Sequence, residues 1–129
     1  MKKLILLFLP LILVVGCSKE PINEDELNFR DGVFYAPYPN NKPYNGESYS
    51  SYRSGELWDK TYYKNGKKHG KFYAYHKNEQ LWKDGNYKNG EEDGEWIIYD
   101  KNGNVIRKTN YKDGEQISEV LYNEDGSIK

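Results

Sequence analysis

The two histidines of the chain could bind a metal, because neutral imidazole is a common ligand of transition metals. His69 and His76 each stand beside a lysine, and the 129 residues contain no third histidine. A zinc site needs about four converging ligands. The two residues lie in polar segments that resemble turns, which predicts solvent-exposed side chains. We therefore expect neither a metal nor any other cofactor.

A run of acidic residues is the second candidate for chemistry, since paired carboxylates hydrolyse glycosidic bonds when they face each other. Glu91, Glu92 and Asp93 are consecutive, and Glu95 follows closely. Carboxylates in this order on a turn indicate a solvated loop. The segment 100–104 has oxygen ligands and a glycine but lacks the spacing of a calcium loop. With no nucleophile or phosphate-binding motif either, the sequence predicts a protein that is not an enzyme.

The N-terminus indicates export. Lys2 and Lys3 precede an apolar run over residues 4–15, which at 12 residues is too short for a spanning helix of about 20. The sequence Val-Val-Gly before Cys17 resembles the bacterial lipobox. In lipoproteins of that kind the thiol is diacylated and the preceding peptide is removed, and two acyl chains anchor a protein stably. The alternative is an ordinary signal peptide followed by a chance cysteine.

This interpretation divides the chain into three parts. Residues 1–16 form a helical signal peptide, residues 17–30 a lipidated N-terminus and flexible tether, and residues 31–129 the folded domain. The alternative for the tether is a partly ordered segment over the sheet edge, anchored by Leu27 and Phe29. Loss of Lys2 and Lys3 changes the formal net charge from −1 to −3, which argues against nucleic-acid binding. The expected location is the bacterial cell envelope, anchored in a membrane. Ser18 favours the outer membrane in a host that has one.

A period of 24 residues organises the domain. The recurring sets are Gly46, Gly70 and Gly94; Leu57, Leu81 and Val105; Trp58, Trp82 and Ile106; Tyr63, Tyr87 and Tyr111; and Gly66, Gly90 and Gly114. A half unit at Val33-Phe34 precedes the full units, and residues 125–128 begin another half unit. Because Asn-Gly and Asp-Gly pairs separate aromatic, β-branched segments, each unit is predicted to be a β-hairpin.

The predicted fold class is therefore all-β: an elongated single antiparallel sheet of stacked hairpins. Its repeating unit, Tyr-Lys-Asn-Gly followed by a spaced glycine, a tyrosine and Asn-Gly-x-Leu, resembles the bacterial variant of the MORN repeat. Chains of such units are often described as YwqK-type antitoxins of toxin–antitoxin systems. The resemblance covers residues 31–129 and implies hairpins in one sheet. The chain departs from the pattern at Lys42 and at Tyr52, which predicts an irregular first hairpin.

The aromatic side chains are the remaining candidates for function. A stripe of six rings recurs with the repeat: Trp58, Trp82, Trp96, Tyr63, Tyr87 and Tyr111. The first interpretation is that these rings form the core of the fold. The second is an exposed aromatic groove that binds a protein strand, a glycan or lipid headgroups, because tyrosine and tryptophan are enriched in binding hot spots. We expect a membrane-anchored binding or assembly module, with a toxin-neutralising protein and an envelope-polymer hydrolase as alternatives.

Overall fold

The computed structural model describes residues 20–129, which form eleven β-strands and one 3₁₀ turn. The strands are β1 (Ile22–Asn23), β2 (Asn28–Arg30), β3 (Val33–Tyr35), β4 (Gly46–Ser51), β5 (Leu57–Lys64), β6 (Lys67–Tyr75), β7 (Leu81–Lys88), β8 (Glu91–Glu92), β9 (Gly94–Tyr99), β10 (Val105–Lys112) and β11 (Glu115–Leu121), and the 3₁₀ turn is Glu24–Glu26. Among these residues no helix is long and apolar enough to cross a membrane. The all-β prediction is confirmed.

One sheet contains nine of the strands. Its order is β1-β4-β5-β6-β7-β9-β10-β11, and the short β8 also pairs with β7. From β4 onward all neighbouring strands of the sheet pair in antiparallel fashion, as the hairpin prediction requires, and both β8 and β9 pair with β7. The prediction of a single antiparallel sheet needs two corrections. β1 pairs with β4 in parallel, so the sheet is mixed, and β2 and β3 form a separate two-stranded sheet.

Two-residue turns close one end of the hairpins. Both turn residues have positive φ, which is the geometry of a type I′ turn and explains the choice of Asn-Gly or Asp-Gly. The φ angles are 51° and 74° at Asn65-Gly66, 51° and 87° at Asn89-Gly90, and 50° and 80° at Asp113-Gly114. The turns predicted at these positions are confirmed.

Five-residue turns close the other end. In each, the backbone N–H of the first residue donates to the carbonyl of the last at 2.8–2.9 Å. The four turns are Tyr52–Glu56, His76–Gln80, Asp100–Asn104 and Asn123–Ser127. Tyr52 is thus equivalent to His76 and Asp100, and the first of these turns has the same hydrogen bonds as the others, so the expected irregularity is absent there. The fourth turn is equivalent to the turn within each full unit, in agreement with the half unit predicted at residues 125–128.

The irregularity lies before β4 instead. At Lys42 the repeat expects the glycine of a two-residue turn, and only Asn41, with φ of 46°, keeps the positive angle. The chain forms a longer loop here, closed by a 2.8 Å hydrogen bond from the Ala36 N–H to the Lys42 carbonyl. The half unit predicted at Val33-Phe34 therefore pairs with β2 and not with the large sheet.

Residues 22–30 differ from the predicted flexible tether, because they form β1, the 3₁₀ turn and β2. The Tyr63 hydroxyl donates to the Glu24 carboxylate at 2.8 Å, and Lys68 Nζ lies 3.9 Å from the same group. The polar, acidic composition concealed this contact, in which a buried tyrosine finds its acceptor. The predicted signal peptide and Cys17 lie outside the described residues.

The core occupies one face of the sheet, which we call the inner face. Its centre is a row of side chains that runs across the strands through paired residues. The row contains Ser48, Thr61, Phe72, Gly85, Trp96 and Thr109. Ser48 and Thr61 are fully buried, and Trp96 is only 1% exposed. Small residues thus alternate with large rings across the strands. The rings of Phe72 and Trp96 pack over this row with centroids 5.5 Å apart, and Phe34 of the small β2-β3 sheet packs beside it, 5.1 Å from Tyr63.

Gly85 should be essential to this packing. A Cβ atom at Gly85 would lie 2.1 Å from Trp96 Cδ2, so the indole must move if any side chain is added. We expect Gly85→Ala to lower the free energy of unfolding by about 2–3 kcal/mol. Denaturant unfolding measures the loss, and Trp96→Phe should recover part of it by making room.

Gly126→Ala is the matched control, because a Cβ there would meet nothing within 4 Å. Its φ of 82° still makes the substitution cost about 1 kcal/mol through the backbone alone. A Gly85→Ala variant that is no less stable than the control would contradict the packing argument.

Candidate functional site

The six rings of the predicted stripe do not form one surface. Trp96, Tyr87 and Tyr111 form an inner-face group, whose ring centroids lie 5.0 Å (Trp96 to Tyr87) and 6.3 Å (Trp96 to Tyr111) apart. Phe72 completes the group at 5.5 Å from Trp96. Burial raises the pKa of Tyr87 to about 12. These rings match the first interpretation, in which the aromatic residues form the core.

Tyr63 is also a core residue, at 4% exposure. Its ring packs against Phe34 and Tyr44 at centroid distances of 5.1 and 5.8 Å. Burial raises its pKa, and the hydrogen bond to Glu24 adds to the effect. Tyr63 therefore joins the N-terminal segment to the large sheet and has no surface left for a partner.

Trp58 and Trp82 form a different group, near the five-residue turns. Their ring centroids lie 5.3 Å apart, Tyr52 meets Trp58 edge-on at 4.9 Å, and the His76 ring lies 6.1 Å from Trp82. All four side chains are half-buried. We call Tyr52, Trp58, His76 and Trp82 the turn-edge aromatic cluster. The cluster contains the two half-buried tryptophans of the predicted stripe, in contrast to Trp96, which is 1% exposed.

A repeated β-bulge places the two tryptophans. Ser50 pairs with Asp59 while Ser51 pairs with Leu57, so Trp58 is left without a cross-strand partner. The same irregularity isolates Trp82 in β7 and Ile106 in β10. A bulge redirects the extra side chain and bends the strand, so one position in each repeat is turned out of the regular alternation.

Hydrogen bonds between neighbouring repeats hold the cluster in place. The Tyr52 hydroxyl donates to the Tyr75 carbonyl at 2.9 Å, and His76 Nε2 donates to the Tyr99 carbonyl at 3.0 Å. Lys77 Nζ lies 5.4 Å from the centre of the Tyr52 ring, within the range of a cation–π interaction. The rings are therefore positioned before any partner arrives.

The histidines are structural and not the exposed variants predicted. His69 and His76 are both half-buried. His69 Nδ1 accepts a hydrogen bond from the backbone N–H of Asn89 at 3.2 Å, whereas His76 donates to a backbone carbonyl. Within residues 20–129 no three histidine, cysteine or acidic side chains converge as a metal site would require.

The acidic residues are paired with lysines or lie in turns. Glu92 lies 3.8 Å from Lys83 Nζ, and Glu95 lies 4.0 Å from Lys108 Nζ. Asp100 accepts the backbone N–H groups of Asn102 and Asn104 at 2.8 and 2.9 Å, which is the usual arrangement of an Asx turn. Hydrogen bonds from Asn104 hold the Asp100 pKa below its usual value. Each of these carboxylates has a structural partner.

Asp59 is an acidic residue that the sequence did not single out. Its carboxyl group is 8% exposed on the inner face, and Oδ1 has no hydrogen-bond partner among residues 20–129. Burial raises its pKa, and the negative charge of Glu24 acts in the same direction. The repeat aligns Asp59 with Lys83 and Arg107. Those two basic side chains reach acidic partners on the same face, so the alignment did not indicate a buried carboxylate at position 59.

The geometry defines the class of the protein: a β-hairpin repeat protein with aromatic rings on a single-layered sheet. Residues 44–65, 68–89 and 92–113 each match the model of the MORN repeat variant. Together these segments span half of the chain, and the chain belongs to the MORN repeat variant family. Each match contains one five-residue turn and ends at the first residue of a two-residue turn. No curated protein and no solved structure matches the chain.

Replacement of Asp59 tests the cost of burying its charge. Because the pKa is raised in the folded state, the stability contributed by Asp59 is complete at low pH and is lost as the pH rises and the group ionises. Asp59→Asn should therefore melt at a higher temperature than the parent protein at pH 7. The difference should shrink at pH 3, where Asp59 is protonated in both states.

Asp125→Asn is the matched control, since hydrogen bonds from Ser127 lower the pKa of that exposed carboxyl group. It should give no gain at pH 7. An Asp59→Asn variant that is less stable than the parent by the same margin at both pH values would show that ionisation of Asp59 is not the cause.

Proposed function

We propose that the chain is a lipid-anchored, non-catalytic binding module of the bacterial cell envelope, and that the turn-edge aromatic cluster is its binding surface. The observation that supports this is the half-exposed pair Trp58 and Trp82, with ring centroids 5.3 Å apart. The other four rings of the stripe are engaged in the core or in holding the N-terminal segment. Trp58 and Trp82 are the two tryptophans of the stripe that are not fully buried, whereas Trp96 is 1% exposed.

The cluster has the properties of a binding hot spot. Tryptophan and tyrosine bury a large area with little loss of side-chain entropy, and preorganised side chains lose less still. The contacts of Tyr52 and His76 to the next repeat already fix the position of both rings. Lys77 adds an exposed positive charge at the rim, where polar residues surround an apolar centre in protein interfaces.

A protein is the partner that these features favour, because the tilted rings and the charged rim fit a side chain inserted between repeats. A glycan is the second candidate, since a sugar ring could lie on the indole of Trp82. Binding of soluble peptidoglycan fragments would change the intrinsic tryptophan fluorescence and would identify that case. Capture of a toxin would identify the protein as a neutralising partner of the antitoxin type.

The lipid anchor rests on the sequence of the N-terminus. Cys17 is the only cysteine of the chain, and it follows a charged and then apolar segment and a small residue. Thioether-linked diacylglycerol holds a protein on a bilayer, where a single acyl chain binds only reversibly. A binding module attached in this way stays in the envelope without a transmembrane segment.

Loss of Trp82 should weaken partner binding strongly. A photo-crosslinking amino acid at exposed Lys77 leaves both tryptophans intact and captures the partner from native membranes. In a Trp82→Ala variant the captured band should disappear, and titration with the identified partner should show a loss of about 2 kcal/mol, or roughly 30-fold in Kd.

The matched control is Tyr62→Ala, which removes a ring that is 40% exposed elsewhere on the sheet. It should leave capture unchanged. Equal capture by the parent protein and by a folded Trp82→Ala variant would place the binding surface elsewhere.

Replacement of the lipidated cysteine tests the anchor. Cys17→Ala removes the thiol that accepts the lipid, so the protein should leave the membrane fraction or accumulate with its leader attached. Metabolic labelling with a fatty acid should mark the parent protein and not the variant. A Cys17→Ala protein that is cleaved and remains in the membrane would overturn the lipoprotein assignment.

A further inference from the structure

The loop between β3 and β4 projects an aromatic residue into solvent. Tyr38 is 90% exposed, more than any other large hydrophobic side chain among residues 20–129. The loop is well braced, because the Ala36 N–H donates to the Lys42 carbonyl at 2.8 Å and the Asn40 N–H donates to the Pro37 carbonyl at 3.1 Å. The loop therefore presents a tyrosine side chain to solvent on a backbone held by its own hydrogen bonds.

The same loop lies beside the start of the described chain. Glu20 and Ile22 line a cleft of about 510 Å³ together with Tyr38, Pro39 and Lys42. Ile22 is fixed there by its pairing with Ser48 in β4. The polypeptide that comes from Cys17 therefore reaches the domain at this loop and not at the turn-edge aromatic cluster.

The chain between Cys17 and this loop is short. Three residue steps separate Cys17 from Glu20, and at about 3.5 Å per residue they span no more than roughly 10 Å. The acyl chains on Cys17 hold that residue at the bilayer surface. Glu20, and with it the loop, is then confined to the zone of the lipid headgroups.

We propose that Tyr38, with the loop over residues 36–43, is a membrane-contact site that lies in the phospholipid interface and orients the domain on the bilayer. The inference rests on the lipid anchor of the proposed function. Tyrosine is enriched at membrane–water interfaces, where its ring faces the acyl region and its hydroxyl faces water. Lys42, exposed on the same loop, faces the phosphate groups.

The loop chemistry suits this position. Pro37 and Pro39 flank Tyr38, and proline limits the conformations that the unfolded loop could adopt, so less entropy is lost when the ring is ordered. The loop precedes Gly46, and the first five-residue turn follows Ser51. Contact at Tyr38 therefore directs the turn-edge aromatic cluster away from the bilayer.

A fluorescent label on the loop tests the contact. The full-length lipidated protein is reconstituted in vesicles of phosphatidylethanolamine and phosphatidylglycerol, with Asn40→Cys carrying an environment-sensitive dye. Because lipidation blocks the thiol of Cys17, the introduced cysteine is the one that reacts. Lipids with a nitroxide near the headgroup should quench the dye at position 40. The emission of the dye should also shift to the blue relative to its emission in detergent-free buffer.

The matched control is Asn102→Cys, exposed in a five-residue turn at the opposite end of the strands. Its dye should be quenched little. Adding Tyr38→Asp to the Asn40→Cys protein should remove most of the quenching, because a charge in place of the ring favours water.

The outcomes separate the two proposals. Protein that floats with the vesicles but shows equal quenching at positions 40 and 102 overturns the loop contact and leaves the anchor standing. Protein that does not float with the vesicles overturns the anchor and the loop contact together. Quenching at position 40 that Tyr38→Asp does not reduce would overturn the role of the tyrosine.

Discussion

The contact between Trp96 and Gly85 is the constraint on which the rest of the sheet depends. On the inner face the indole of Trp96 packs directly on the backbone of the neighbouring strand, with the rings of Tyr87 and Tyr111 edge-on to it. The indole can do so only where no Cβ stands in the way, and a Cβ on Gly85 would meet it at 2.1 Å. The rings of Phe72, Tyr87 and Tyr111 then pack around the indole. Strain at Gly85 would loosen all of them together.

A second set of bonds carries this packing from one repeat to the next. The N–H groups of Gly66, Gly90 and Gly114 donate to the carbonyls of Tyr44, Lys68 and Glu92 at 2.7–3.0 Å. Each two-residue turn is thereby closed onto the unit before it, and the register of every hairpin follows from the preceding one. The same registration brings the bulges at Trp58 and Trp82 side by side. The turn-edge aromatic cluster is thus a consequence of the repeat, and it exists only where two neighbouring units carry tryptophan.

The sequence predicted the hairpins well, because Asn-Gly pairs and a 24-residue period are local signals that tertiary structure rarely overrides. The sequence did not predict the features that depend on contacts between residues far apart in the chain. The order of residues 22–30 depends on Tyr63, which is 39 positions from Glu24 and needs an acceptor for its buried hydroxyl. The separation of the six rings of the predicted stripe into groups was not predicted, because the simple alternation of side chains along a strand does not reveal a β-bulge. Gly85 was the available warning, since a glycine within a strand indicates a close neighbour.

The two ends of the strands have different chemistry, and this bears on how such a module works. The braced loop with Tyr38 and the entry of the N-terminal chain lie before Gly46, whereas Tyr52 begins the turn after Ser51. β4 alone separates these ends by about 20 Å, at 3.4 Å per residue. With the proposed lipid anchor at the first end, the proposed binding edge at the second end would stand at a fixed height above the lipid. The contact between Glu24 and Tyr63 holds residues 22–30 on the large sheet. Under that proposal the sheet would act as a spacer as well as a binding surface.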